Sequence, residues 1–78
     1  MNPDDSIAYA YILVFSTSHA IQIEQWLIEK KVPCRLVPVP RHLSSDCGVC
    51  VRILKSDIEQ VHKLTEQAGI ELVGIHSE

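Results

Sequence analysis

Two amphipathic segments, each set between short β-prone runs, constrain the fold of this chain more than any other feature. In the first segment, Ala20, Ile23 and Leu27 recur at spacings of three and four residues, which predicts a helix over about residues 19–31. A hydroxyl group just before this segment can cap its first turn. Pro33 prevents the helix from continuing, so the chain must turn there.

The second amphipathic segment predicts the clearer of the two helices. Ser56 and Glu59 have the spacing of a capping box at its start, and Gly69 supplies a left-handed stop at its end. The residues that share one helical face are Ile58, Val61, Thr65 and Ala68.

Four β-prone runs surround these helices and predict strands. They cover residues 7–15, 34–39, 48–54 and 70–75. Pro38 and Pro40 in the second run have no amide donor, so this strand is expected at an edge of the sheet. A polar loop, Arg41 to Asp46, joins the second run to the third.

The order β-α-β-β-α-β predicts an α+β fold of the ferredoxin-like type, in which both helices cover one face of a four-stranded antiparallel sheet. The expected strand order is four, one, three, two. With 78 residues the chain is expected to form a single domain, residues 1–78, whose core covers about residues 7–76. In this topology two segments are expected at one end of the sheet, one from Ser16 to His19 and the other from Arg41 to Cys50.

Composition excludes several classes of function. Seven Lys and Arg against ten Asp and Glu give a net charge of −3, and no stretch concentrates the basic residues, so we expect no nucleic-acid partner. The apolar run at residues 7–15 is too short to span a bilayer and follows Asp4 and Asp5, so we expect no membrane or export signal. Three cysteines, an odd number, suggest reduced thiols and a cytoplasmic location.

Cys47 is the most reactive thiol that the sequence predicts. It stands at the exit of the polar loop beside Gly48, which leaves room for a ligand to approach. The expected neighbours are Arg41 and the start of the first helix, whose residues are Ser16, Thr17, Ser18 and His19. A helix N-terminus and nearby cations stabilise a thiolate. The alternative is a structural cysteine that packs at the start of a strand.

Cys50 completes a Cys-x-x-Cys sequence with Cys47, which allows a reversible disulfide or half of a metal site. A zinc site would need two more ligands, for which Cys34, His42 and His19 are the candidates. No second cysteine pair exists, so we predict neither a metal nor another cofactor.

Two further features of the sequence call for an explanation. Glu24 falls within the apolar stripe of the first helix, where we expect it to snorkel at the edge of the stripe or to pair with Arg35 or Arg52, rather than to handle protons. The first strand is apolar on both parities, so its second face should expose Tyr9, Tyr11 and Leu13. The residues of that face predict self-association, most simply as a dimer.

The segment from Pro38 to Gly48, PVPRHLSSDCG, together with Phe15-Ser16-Thr17 and the helix that follows, resembles the putative selenium/sulfur carrier protein-like family of small bacterial domains. The resemblance covers about residues 11–74. It implies that Cys47 holds sulfur or selenium beside Gly48. It also implies that Arg41, Ser44 and Ser45 shape the loop or face an anion.

Cys50 departs from the family's pattern, in which a small or apolar residue stands near that position, so its role as a resolving thiol stays open. The resemblance predicts a carrier or accessory protein, with donor and acceptor proteins as partners, rather than a free-standing enzyme. The alternative function is a non-catalytic regulatory or interaction module, for which the exposed second face of the sheet would be the evidence. An ordinary thiol pKa of about 8.5 at Cys47 would favour that module.

Overall fold

A computed structural model describes residues 8–43 and 48–77 of the chain. Within them the elements are β1 (Tyr9–Leu13), α1 (Thr17–Glu29), β2 (Cys34–Pro38), β3 (Val49–Leu54), a 3-10 turn (Lys55–Asp57), α2 (Ile58–Ala68) and β4 (Gly74–Ser77). The fold is α+β, and the predicted order of helices and strands is confirmed.

The four strands form one antiparallel sheet in the order β2-β3-β1-β4. Counted from the β4 edge, this is the expected order four, one, three, two. In the centre of the sheet, Ile12 of β1 lies opposite Val51 of β3 and Ile75 of β4. β2 pairs only with β3, so the edge position that its prolines predicted is confirmed.

The main core lies between the sheet and the two helices. Strand residues of one parity, such as Ile12 and Ile53, pack there against Leu27 of α1 and Val61 of α2, and all four side chains are fully buried. Their alternation along the strands and their helical spacing explain why both helices lie on the same face.

The ends of α1 follow from local chemistry. Ser16 has extended backbone dihedrals and its Oγ accepts a hydrogen bond of 3.1 Å from the His19 amide, so the predicted hydroxyl cap is confirmed and the helix begins at Thr17. At the other end Lys31 has a φ of 63°, and the Val32 amide donates to the Leu27 carbonyl at 2.9 Å. This left-handed residue ends the helix two positions before the predicted boundary.

The capping box predicted for α2 is wrong. Ser56 lies inside the 3-10 turn. The N-cap residue of that turn is Leu54 and the N-cap residue of α2 is Asp57, and neither N-cap has a side-chain hydrogen bond. The Lys55 amide donates to the Ala8 carbonyl at 3.0 Å, and this long-range hydrogen bond fixes the position at which the chain leaves β3. Gly69, with a φ of 68°, confirms the predicted stop. The chain from 70 to 73 is a connector, so β4 begins at Gly74.

The second face of the sheet is not open, contrary to the prediction. Tyr11 is 9% exposed and Leu13 is 3% exposed, and both pack against Cys50, which is fully buried. Val39 and Leu43, which follow β2 in the chain, pack against this second-face cluster. The predicted dimer surface is therefore largely covered within a single chain.

Candidate functional site

The candidate site lies in the connection from β2 to β3, at the end of the sheet where β1 leads into α1. Antiparallel pairing of Ile12 with Val51 sends β1 toward Ser16 and places Gly48 at the same end of the sheet. Ser44, Ser45 and Cys47 lie outside the described residues. Their proximity to residues 16–19 stays a prediction.

Both flanks of the 44–47 segment are held by backbone hydrogen bonds. The Val39 amide donates to the Gly48 carbonyl at 3.2 Å, which extends the pairing of β2 with β3 by one step. The Leu43 amide donates to the Pro40 carbonyl at 3.0 Å and closes a turn in which Arg41 is exposed. The connection is therefore anchored on both sides of the cysteine.

Gly48 is exposed, and a Cβ atom at this position would meet no described atom within 4 Å. Its φ is not positive, so the backbone does not require glycine there. What glycine contributes at this position is the absence of a side chain next to residue 47.

The N-terminus of α1 carries polar and aromatic side chains and no acidic residue in its first turn. The Ser16 cap is followed by Thr17 and Ser18, which are exposed. The ring of His19 stacks on Phe15 with centroids 5.7 Å apart, and its Nδ1 accepts a hydrogen bond of 3.4 Å from the Phe15 amide. The positive end of the helix dipole is thus not neutralised by the helix's own first turn.

Cys50 and Cys34 lie on opposite faces of the sheet. Cys50 belongs to the second-face cluster with Tyr11 and Leu13, and its Sγ is 4.0 Å from the Pro38 carbonyl oxygen. Cys34 packs against the main core on the helical side. The two thiols therefore cannot bind one metal ion, which removes Cys34 from any zinc site built on Cys50. Across residues 8–43 and 48–77, no three metal-ligating side chains converge.

Cys34 is held in an environment that disfavours its thiolate. Its Sγ donates to the Glu24 carbonyl oxygen at 3.4 Å. Burial, and next the negative charge of Glu24, raise the pKa of the Cys34 thiol. Cys34 begins β2, at the end of the sheet away from the candidate site. Its thiol should therefore react slowly at neutral pH.

Glu24 has a different partner from either arginine that the sequence suggested. Its Oε2 accepts a hydrogen bond of 2.9 Å from the Leu36 amide. β2 pairs with β3 on one side only, so an amide directed to the free side needs an acceptor. The carboxylate supplies that acceptor and joins α1 to the edge strand. The prolines that identify the edge were the signal in the sequence that could have indicated this role.

Comparisons with known proteins add one finding. The sequence profile of a family described as "Putative Se/S carrier protein-like" matches residues 9–77, which is most of the chain. No curated protein and no solved structure matches the chain.

In the part of the chain that the structure describes, no helix is both long and apolar enough to cross a membrane.

Proposed function

The chain belongs to the Se/S carrier protein-like family, and from this membership we propose that it carries sulfur or selenium on the thiol of Cys47. The observation on which the proposal chiefly rests is the match over residues 9–77, a range that includes Cys47 and Gly48. The chain acts in this proposal as a carrier between proteins and not as a free-standing enzyme. The ferredoxin-like sandwich that we also propose is supported by the order of its strands and helices.

The chemistry requires little beyond a reactive thiolate. The Cys47 thiolate attacks the outer, sulfane sulfur of a persulfide on a donor protein, and the sulfur–sulfur bond of the donor breaks as its inner sulfur leaves as a thiolate. Cys47 then holds a persulfide. A thiolate of the acceptor protein attacks the outer sulfur and releases Cys47 as a thiolate. Each step exchanges one sulfur bond for another with no net oxidation, and selenium follows the same scheme.

Four features of the described residues support Cys47 as the reactive residue. Backbone hydrogen bonds order the chain on both sides of residues 44–47, because the Val39 amide donates to the Gly48 carbonyl and the Leu43 amide donates to the Pro40 carbonyl. A Cβ atom at Gly48 would meet no described atom within 4 Å, and the lack of a side chain there favours the close approach of a partner's thiol. The start of α1 lies at the same end of the sheet and has no acidic residue in its first turn, and the positive end of its dipole would lower the pKa of a neighbouring thiol. Arg41 would add a positive charge from the exposed turn.

Cys50 has a conditional role in the proposal. A thiol that is fully buried under Val39 and Leu43 cannot attack a persulfide at the surface until those side chains move. We therefore propose that Cys47 works alone during transfer. A Cys47–Cys50 disulfide forms only when the second-face cluster opens, because the Cys50 thiolate must then attack the Cys47 sulfur of the persulfide, breaking its sulfur–sulfur bond and releasing the outer sulfur as hydrosulfide.

The test is transfer from a cysteine desulfurase charged with radiolabelled cysteine. Wild-type protein should acquire label that a thiol reductant removes, and Cys47→Ser should acquire none. Cys34→Ser is the matched control, since it also removes one thiol but lies at the other end of the sheet, and it should be labelled like wild type. Equal labelling of the Cys47→Ser variant, or no label on a wild-type protein with a free thiol, would refute the proposal.

The alternative function, an interaction module, was suggested by an exposed second face of the sheet, and the structure does not show that exposure. The second face of the sheet, expected to be exposed, is occupied by the cluster around Tyr11, Leu13 and Cys50. Self-association therefore needs another surface, and light scattering at high concentration tests whether it occurs.

A further inference from the structure

A pocket at the end of the sheet away from the cysteine loop contains two arginines that face each other. It lies where β1 and β2 begin and β3 ends, and it has a volume of about 220 Å³. Arg35 of β2 lies directly opposite Arg52 of β3, and both line the pocket. Directly opposed side chains on neighbouring strands have Cβ atoms about 4.5–5.5 Å apart, and like charges in this arrangement are destabilising.

Neither guanidinium is neutralised by the described residues around it. Among residues 8–43 and 48–77, no carboxylate forms an ion pair with Arg35 or Arg52. Glu24, the expected partner, binds the Leu36 amide instead. The contact that Arg52 does make is with the face of the Tyr9 ring, 4.1 Å from its centroid. This cation–π contact fixes the side chain but leaves the positive charge in place.

We propose that this pocket binds a small phosphate monoester, with Arg35 and Arg52 as the groups that hold the phosphate. Two guanidiniums match the charge of a phosphate monoester, which is close to −2 at neutral pH, and each can donate a pair of parallel hydrogen bonds to its oxygens. A single carboxylate would leave one of the two charges uncompensated. Pro33 and Leu54 supply an apolar wall for the organic group of the ester.

The size of the pocket limits the ligand. Pockets for drug-sized molecules are typically ~300–1,000 Å³, and this one is smaller. A phosphate with one small ring or a short chain fits that space. The site is distinct from the proposed carrier site, because Cys34, which borders the pocket, begins the strand whose far end leads to the cysteine loop.

The test measures binding of phenyl phosphate, inorganic phosphate and benzoate by NMR titration of the whole chain at constant ionic strength. Phenyl phosphate should bind most tightly, and its amide shifts should centre on Tyr9, Arg35 and Arg52. Arg35→Gln and Arg52→Gln should each weaken its binding roughly 10-fold or more, the range expected for loss of a hydrogen bond to a charged group. Lys63→Gln, at an exposed position of α2, removes the same charge outside the pocket and should change binding less than twofold, about the effect of a distant screened charge.

Three results would overturn the proposal. Benzoate binding as tightly as phenyl phosphate would show that the site does not select a dianion. Equal weakening by Lys63→Gln would show nonspecific attraction, and shifts centred outside the pocket would place the ligand elsewhere. Because Arg52 is partly buried, Arg52→Lys provides a variant that keeps the charge and loses the planar fork, and it should bind with intermediate affinity.

Discussion

Replacing Glu24 tests two separate effects of one side chain. The carboxylate accepts the Leu36 amide at 2.9 Å and raises the pKa of the Cys34 thiol by its negative charge. Glu24→Gln keeps an acceptor and removes the charge, whereas Glu24→Ala removes both. The two variants therefore separate the hydrogen bond from the electrostatic effect.

The expected loss of stability follows from the hydrogen bond. A bond to a charged group contributes about 1.5–3 kcal/mol, and the low end applies because Glu24 is only half-buried. We expect Glu24→Ala to lower the free energy of unfolding by about 1.5 kcal/mol, or the Tm by roughly 6–12 °C. Glu24→Gln should cost about 0.5 kcal/mol, the difference between a charged and a neutral bond. Gln25→Ala, an exposed position in the same helix, controls for the higher helix propensity of alanine.

The electrostatic effect is measured by the pH dependence of Cys34 alkylation. In the wild type the raised pKa keeps the thiol protonated, so alkylation should accelerate only at a higher pH than for an exposed thiol. Both Glu24 variants should move this profile to lower pH, but not to that of an exposed thiol, because burial is the larger cause of the raised pKa. An unchanged alkylation profile in both variants, or a Glu24→Ala protein as stable as Gln25→Ala, would refute the reasoning.

Three further predictions concern stability and are checked by chemical denaturation. Ser16→Ala removes the hydroxyl that accepts a hydrogen bond from the amide of residue 19, and it should lower the free energy of unfolding by about 1 kcal/mol. Ser18→Ala, at an exposed position in the first turn of α1, should lower it by less than half as much. Gly69→Ala should cost about 1–2 kcal/mol because alanine is strained in the left-handed region, and Gly48→Ala, at a position without positive φ, should be tolerated. Arg35→Gln should stabilise the ligand-free protein by about 0.2–1 kcal/mol by relieving cross-strand repulsion; a destabilised variant would show that the two arginines do not repel each other.

Local sequence features were sufficient to predict the elements of this fold. The three- and four-residue spacing around Leu27 and Val61, the hydroxyl before the first helix and the stop at Gly69 all act within a few residues. The missing amide of Pro38 is local too, and it identified the edge strand. These features follow from covalent geometry and short-range hydrogen bonding, which a sequence expresses directly.

The sequence predicted at which end of the sheet the β2–β3 connection lies, but it did not predict the environment of Cys50. The pairing of β1 with β3 confirms that the start of α1 and the β2–β3 connection lie at one end of the sheet. The reactivity of Cys47, which the Cys-Gly pair predicted, stays a prediction. The burial of Cys50 was not predictable, because it depends on packing within the second-face cluster, which includes contacts from Val39 and Leu43 in the connection after β2. The alternation of side chains along a strand predicts which face of the sheet a residue occupies, but it does not predict which other side chains cover that face.

Tertiary structure also decided the partners of the charged side chains. Glu24 binds the edge-strand amide of Leu36 rather than an arginine because the free side of β2 passes beside α1. That choice leaves Arg35 and Arg52 opposed across two strands, a register that depends on a long-range pairing. The sequence by itself therefore determined which segments become helices and strands. Only the tertiary structure determined which side chains contact each other, because these contacts join residues that are distant along the chain. Several such residues also compete for the same few hydrogen-bond and ion-pair partners.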